Sequence, residues 1–240
     1  IDMRVADFIL QNGESTLDRG VARVFLPGGL GKLPVREELS QQLADAIAAD
    51  GAERETLYVC LKGPQGVGRE TCACRAAELL DVPAVIFDCR TASGAVREEF
   101  FAALYTAGRE TLLTQGVMIL RRVDALFDEP ETAAGVLDVA GRFSGVVFVL
   151  LDTDAVSVEA AGGRRWIELT LDVPHRGESI ALWERELTRL PLREPIEASE
   201  LANKFSFTPA QIAGTARTAA GMALLAGPLD RRELADAAYS

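Results

Sequence analysis

The sequence predicts an α/β fold: a parallel five-stranded sheet sandwiched by helices, followed by a small helical domain. Three observations predict it. Five apolar runs, "TLYVCLKG", "PAVIFDCR", "GVMILRRVD", "GVVFVLLDT" and "RWIELTLDVP", recur between Thr56 and Pro174. They are continuous rather than alternating, the pattern of strands buried on both faces. Helical stretches separate most of them, as parallel neighbours require. After Pro174 the strand-like runs stop and helical periodicity takes over.

In chain order, residues 1–50 read as a helical or irregular segment. "MRVADFILQ" is amphipathic, "LPGGLGKLP" is a Gly/Pro loop, and "VREELSQQLADAIAAD" is a helix. Residues 51–174 make the α/β domain, with helices "RETCACRAAELL", "VREEFFAALYTAGRETLLTQ" and "ETAAGVLDVAGRF" between strands. Residues 175–240 make the helical domain, from "GESIALWERELTRL" through "EASELANKF" and "TPAQIAGTARTAAGMALLAG" to a short last helix in "PLDRRELADAAYS". Ser199 and Thr208 are N-cap candidates, and Pro209 suits a first helical position.

Composition narrows the function classes. A net charge of −11 argues against nucleic acid, which draws clustered cations. No apolar run approaches the roughly 18 residues of a membrane helix, and no leader is evident, so the expectation is a cytoplasmic protein. The chain opens on Ile1, as expected of a piece of a longer protein. Cys72 and Cys74 form a C-x-C, but no second pair follows at zinc spacing and His175 is the only histidine. Cys60 and Cys89 lie in apolar strands, where free cysteine acts as a small hydrophobe. No metal site is expected, and free thiols fit a reducing compartment.

The stretch that bears on chemistry follows the first strand: Gly63, Pro64, Gln65, Gly66, Val67, Gly68, Arg69, Glu70 and Thr71. Strand, glycines, then helix is the arrangement that aims backbone N–H groups and a helix N-terminus at phosphate. The pattern G-x-x-x-x-G-K-[ST] is broken at its end, where Arg69 and Glu70 stand for lysine and hydroxyl, and Thr71 comes one residue late. About fifty residues on, a strand ends in Arg121 and Arg122, followed by Val123, Asp124, Ala125 and Leu126.

With these two stretches the chain resembles the AAA+ ATPase family of P-loop NTPases over most of its length. "MILRRVDALF" is similar to the family's Walker B stretch, with Arg121 and Arg122 at the Asp-Glu positions. "VVFVLLDTD" resembles the sensor-1 strand, making Asp152 and Thr153 the candidates there; ending a strand is the alternative role. "GGRRWIELTLDVP" resembles the arginine-finger segment, making Arg164 and Arg165 candidates; solvated charge is the alternative. "FTPAQIAGTARTAAGMA" resembles the helical lid, with Ala210 or Gln211 at sensor 2 and no arginine offered. More narrowly, "MRVADFIL" and "LDRRELADAAYS" resemble the first, degenerate module of bacterial tandem AAA+ chains, some associated with contractile injection systems.

The resemblance implies an ATP site, and the departures imply its loss. In the family the Walker A hydroxyl and the Walker B aspartate approach one Mg²⁺, and the next glutamate activates water. Arginine cannot act as a general base, since its pKa exceeds ~12, and its planar fork does not reproduce the compact charge of lysine. Hydrolysis is therefore not expected, nor is bound Mg²⁺; the cofactor expectation is none, or weakly held ATP or ADP. Glu70 and Arg121 occupy the two metal-facing positions with opposite charge, so an ion pair between them is expected in the space of the metal. Alternation along a strand then sends Arg122 elsewhere. The implied partners are other AAA+ modules and a client protein, with a structural or regulatory role in assembling or gating an active module. A nucleotide sensor is the alternative; an ATPase rewired onto Asp124 or Asp152 is a third reading.

Overall fold

The computed structural model describes residues 17, 21–50, 55–90, 97–126, 130–152 and 163–239. Its strands are β1 (Ala22–Phe25), β2 (Leu57–Lys62), β3 (Ala84–Asp88), β4 (Val117–Arg121), β5 (Val146–Leu151) and β6 (Arg165–Thr170). Its helices are α1 (Glu37–Asp50), α2 (Arg69–Leu79), α3 (Arg97–Leu113), α4 (Pro130–Phe143), α5 (Arg176–Leu187), α6 (Ala198–Lys204), α7 (Pro209–Ala226) and α8 (Arg231–Tyr239), with a 3-10 turn at Val123–Leu126. The chain divides into two compact units: a sheet unit within 1–32, 37–63 and 69–170, and a helical unit within 33–36, 64–68 and 171–240.

In the sheet unit the strand order is β1-β3-β4-β5-β2-β6. The five strands expected from the sequence are all present and mutually parallel. The sixth, β1, is antiparallel to β3, with Ala22 opposite Phe87 and Phe25 opposite Ala84. It corrects the reading of residues 1–50 as helical or irregular. Four residues with an arginine among them give too short an alternation to register, and only pairing with β3 makes them a strand. "MRVADFILQ" lies outside the described residues.

Every residue of β2 and β3 is buried, as their unbroken apolar runs require. Alternation sends Tyr58, Cys60, Val85, Phe87, Met118, Leu120, Val147 and Val149 to one face, where they pack with Phe100, Leu104 and Ala107 of α3 and Val136, Leu137 and Ala140 of α4. Val59, Leu61, Ile86, Ile119, Phe148 and Leu150 point the other way and are buried too. Helix α2 lies along β4 and β5, with α1 beside it; its Cys72, Ala73, Ala76 and Ala77 are small enough for that close approach.

The helical unit closes on Trp183, Leu182, Leu201, Phe205, Ile212, Leu229 and Leu234. Helix α7 starts as the sequence indicates. Thr208 accepts from the Gln211 N–H, Gln211 returns the bond to the Thr208 N–H, and Pro209 opens the helix. Helix α6 does not: its N-cap is Glu197, without a side-chain bond, and Ser199 lies inside the first turn. His175, which carried no expected role, caps α5 by accepting from the Glu178 N–H.

Candidate functional site

In open parallel sheets the carboxyl ends of the strands face the ligand crevice. Here those ends carry charged side chains: Asp88 closes β3, Arg121 and Arg122 follow β4, Asp152 follows β5, Lys62 closes β2, and Glu168 lies near the end of β6. Each of these side chains takes part in an ion pair.

Glu70, the second residue of α2, is the hub of the first cluster. Its Oε2 lies 3.0 Å from Arg121 Nη1, the pairing expected from the sequence. Its Oε1 accepts from Arg23 of β1. Arg121 Nε lies 3.6 Å from Asp88 Oδ2. Arg122 also reaches Asp88, donating from Nε to Oδ1 at 2.8 Å and from Nη2 to Oδ2. This corrects the expectation that Arg122 points away. Alternation holds only inside a strand, and Arg122 takes φ +57°, which turns the chain just past β4. A non-glycine residue in that region costs about 1–2 kcal/mol, and two charge-assisted bonds to a largely buried carboxylate offset it.

The second cluster sits on β5, β2 and β6. Arg69, at the P-loop lysine position, is buried, 8% exposed. Its guanidinium donates to the Leu151 carbonyl and to the Asp152 carboxylate. The Asp152 N–H in turn faces Asp124 Oδ1 at 3.4 Å. Lys62, also buried, pairs with Glu168 at 2.6 Å. Cys60 lies beside these groups; burial first, and the Glu168 charge second, push its thiol up to about 12. Burial likewise pushes Cys74 up to about 12, and Cys89 upward. All four cysteines are buried and outside any disulfide, and among the described residues no three metal-ligating side chains converge.

The glycine loop is conformationally specialised. Gly63, Gly66 and Gly68 have φ of +145°, +81° and +103°, values that L side chains rarely adopt. The Val67 N–H bonds to the Pro64 carbonyl at 3.2 Å, while Pro64 and Gln65 are exposed. Within the helical unit the Gly66 carbonyl accepts from the Ala210 N–H at 3.1 Å. A Cβ at Gly66 would stand 2.7 Å from Ala210 Cβ and 2.9 Å from Thr208 Oγ1. Gly66 thus admits the N-terminus of α7 at backbone contact. Thr71 is exposed on α2.

The two arginine-finger candidates are both held within the chain. Arg164 donates to Asp138 Oδ1 of α4 at 2.5 Å. Arg165 grips the Asp50 carboxylate at the end of α1 with both terminal nitrogens, one at 3.0 Å, and reaches the Glu55 carbonyl at 3.4 Å. Thr153 lies outside the described residues, so the second sensor-1 candidate has no geometry to report.

No protein-family model matches the sequence, and no curated protein matches it. Solved structures do match. One is a katanin chain, from a structure described as the basis of katanin self-assembly; it superposes with a TM-score of 0.73 over 92% of this chain and 88% of that one, at 14% identity. This chain has an AAA+ fold. At that identity the likeness carries the architecture of an AAA+ module and none of its residues' roles.

Arg69, Glu70, Arg121, Arg122, Asp152, Arg164 and Arg165 stand out in the sequence, but Asp88, Arg23, Asp138 and Asp50 among their partners do not, nor does the Lys62–Glu168 pair. Asp88 had a signal, an acid closing an apolar strand in "VIFDCR". Arg23, Lys62, Glu168, Asp138 and Asp50 had none, because each acquires its partner only through sheet order.

Proposed function

We propose that this chain is a degenerate AAA+ module that does not hydrolyse ATP and serves to assemble or gate an active AAA+ module, in the same or a neighbouring bacterial chain. The observation that carries the proposal is the 3.0 Å pair between Glu70 and Arg121. These are the positions at which the family brings a hydroxyl and an aspartate to Mg²⁺. A cation arriving between them must displace a guanidinium that Asp88 also holds, and no general base follows in sequence, since Arg122 is committed to Asp88. Arg69 is withdrawn in the same sense, its fork spent on Leu151 and Asp152. Of the acids of a rewired mechanism, Asp124 accepts from the Asp152 N–H and the Asp152 carboxylate is held by Arg69.

An assembling role draws support from the katanin neighbour, whose structure is described in terms of self-assembly. Within that role Arg164 and Arg165 act as internal braces through Asp138 and Asp50, not as fingers presented to a neighbour. The test is phosphate release from Mg-ATP by the purified chain. Release at the no-protein background is expected; turnover near 1 s⁻¹, an ordinary enzymatic pace, would overturn the proposal.

One observation favours a second reading, a nucleotide sensor. Gly63, Gly66 and Gly68 keep the positive φ of a phosphate-cradling loop, and backbone N–H groups bind phosphate whatever the side chains are. Calorimetry with ADP and ATP in EDTA separates the two readings: a Kd below about 100 μM, roughly −5.5 kcal/mol, supports the sensor.

A further inference from the structure

We infer that Glu70 latches β1 to the sheet, so that the residue at the former metal position governs whether the edge of β3 is covered. Strand β1 is a weak element on its own terms. It has four residues, pairs among the described residues with β3, and has Ala22 as its one buried residue. Beyond Phe25 the chain enters a loop with Gly28 and Gly31 at positive φ. Short edge elements of this kind open locally, well below the global unfolding free energy. Ala22 and Val24 of β1 pack on the sheet core, and Arg23, whose side chain is half exposed, adds a charged tie to Glu70 at the start of α2. Glu70 in turn is fixed from the other side by Arg121. The strand is thus strapped across β3 to the helix that follows the glycine loop.

The strap has two consequences. Breaking it loosens β1 without touching the rest of the sheet, because β3, β4, β5 and β2 keep their own ladders and both-face burial. Loosening β1 bares the N–H and C=O groups along Ala84–Asp88, an edge open to a further strand. Anything that draws Glu70 away from Arg23 therefore reads out at the sheet edge. This inference does not rest on the absence of turnover; it stands or falls on Glu70 and Arg23 alone.

Hydrogen exchange of the intact chain tests it. In Arg23→Gln the amides of residues 23 and 25, which the register turns toward β3, are expected to exchange about threefold faster, the scale of a partly exposed ion pair. In Arg23→Glu, which sets two carboxylates against each other, the expected rise is about tenfold, with β4 and β5 unchanged. Arg121→Gln, which leaves the Arg23–Glu70 bond in place, should leave the amides of residues 23 and 25 within twofold of the parent. Less than a twofold rise in Arg23→Glu would overturn the latch. So would an equal rise across β4 and β5, or a rise in Arg121→Gln as large as in Arg23→Gln.

Discussion

Removing Glu70 and Arg121 singly and together should reveal that the two positions are coupled. Their charged atoms lie 3.0 Å apart, with side chains 28% and 31% exposed. At that distance Coulomb attraction amounts to about 5.5 kcal/mol at an effective dielectric of 20 and about 1.4 kcal/mol in bulk water. Desolvation and the ordering of two long side chains remove most of it. Each residue also keeps a second partner when the other is truncated: Glu70 keeps Arg23, and Arg121 keeps Asp88. A coupling energy of about 1–2 kcal/mol is therefore expected between Glu70→Ala and Arg121→Ala. The assay is urea denaturation of parent, single and double variants in a shared Trp183→Phe background, followed by the emission of Trp166, which stacks on Tyr58 in the sheet unit. Arg121→Asp should be worse than Arg121→Ala, because it gathers a third carboxylate beside Glu70 and Asp88. Additivity within about 0.3 kcal/mol, the behaviour of independent sites, would refute the reasoning.

Other consequences follow from the same geometry. Gly66→Ala should cost about 2–4 kcal/mol and Gly68→Ala about 1–2 kcal/mol, since both have positive φ but only Gly66 is crowded, by Ala210 and Thr208; denaturation of each variant checks this, and equal costs would contradict it. Glu78 should make stability fall in acid. Burial opposes its ionisation, but the Leu30 N–H, the Arg75 guanidinium and the Gly31 N–H outweigh burial and hold its pKa below the usual carboxylate range. A depressed folded pKa gives stability that is complete above the unfolded value near ~4.3 and lost as pH falls through the folded one, so Glu78→Gln should flatten part of the decline below about pH 4. The four buried cysteines should be silent toward a thiol reagent at pH 8 in the native protein and react fully once it is denatured, given thiols pushed up to about 12 at Cys60 and Cys74.

The sequence carried the fold where burial dictates residue type. β2, β3 and β5 must be apolar on both faces, so their runs are visible without any partner. Strand β1 was invisible because an edge strand answers to one neighbour, and its Arg23 answers to a helix 47 residues away. The Glu70–Arg121 pair was legible because the family pattern places both positions around one metal, and opposite charges there leave little choice. Arg122 was misjudged through a rule about strands applied one residue beyond the strand. Arg69 fell where expected in sequence, but nothing there says that its guanidinium turns to Leu151 and Asp152 rather than toward the loop.

Calorimetric titration of the purified chain with Mg-ATP, with Mg-ADP and with Mg²⁺ alone decides whether ion pairs stand where related modules would hold a metal. No metal-dependent heat is expected up to millimolar concentrations. A Mg²⁺-dependent Kd below about 100 μM, equivalent to roughly −5.5 kcal/mol, and abolished by removing the Glu70 carboxylate, would contradict it.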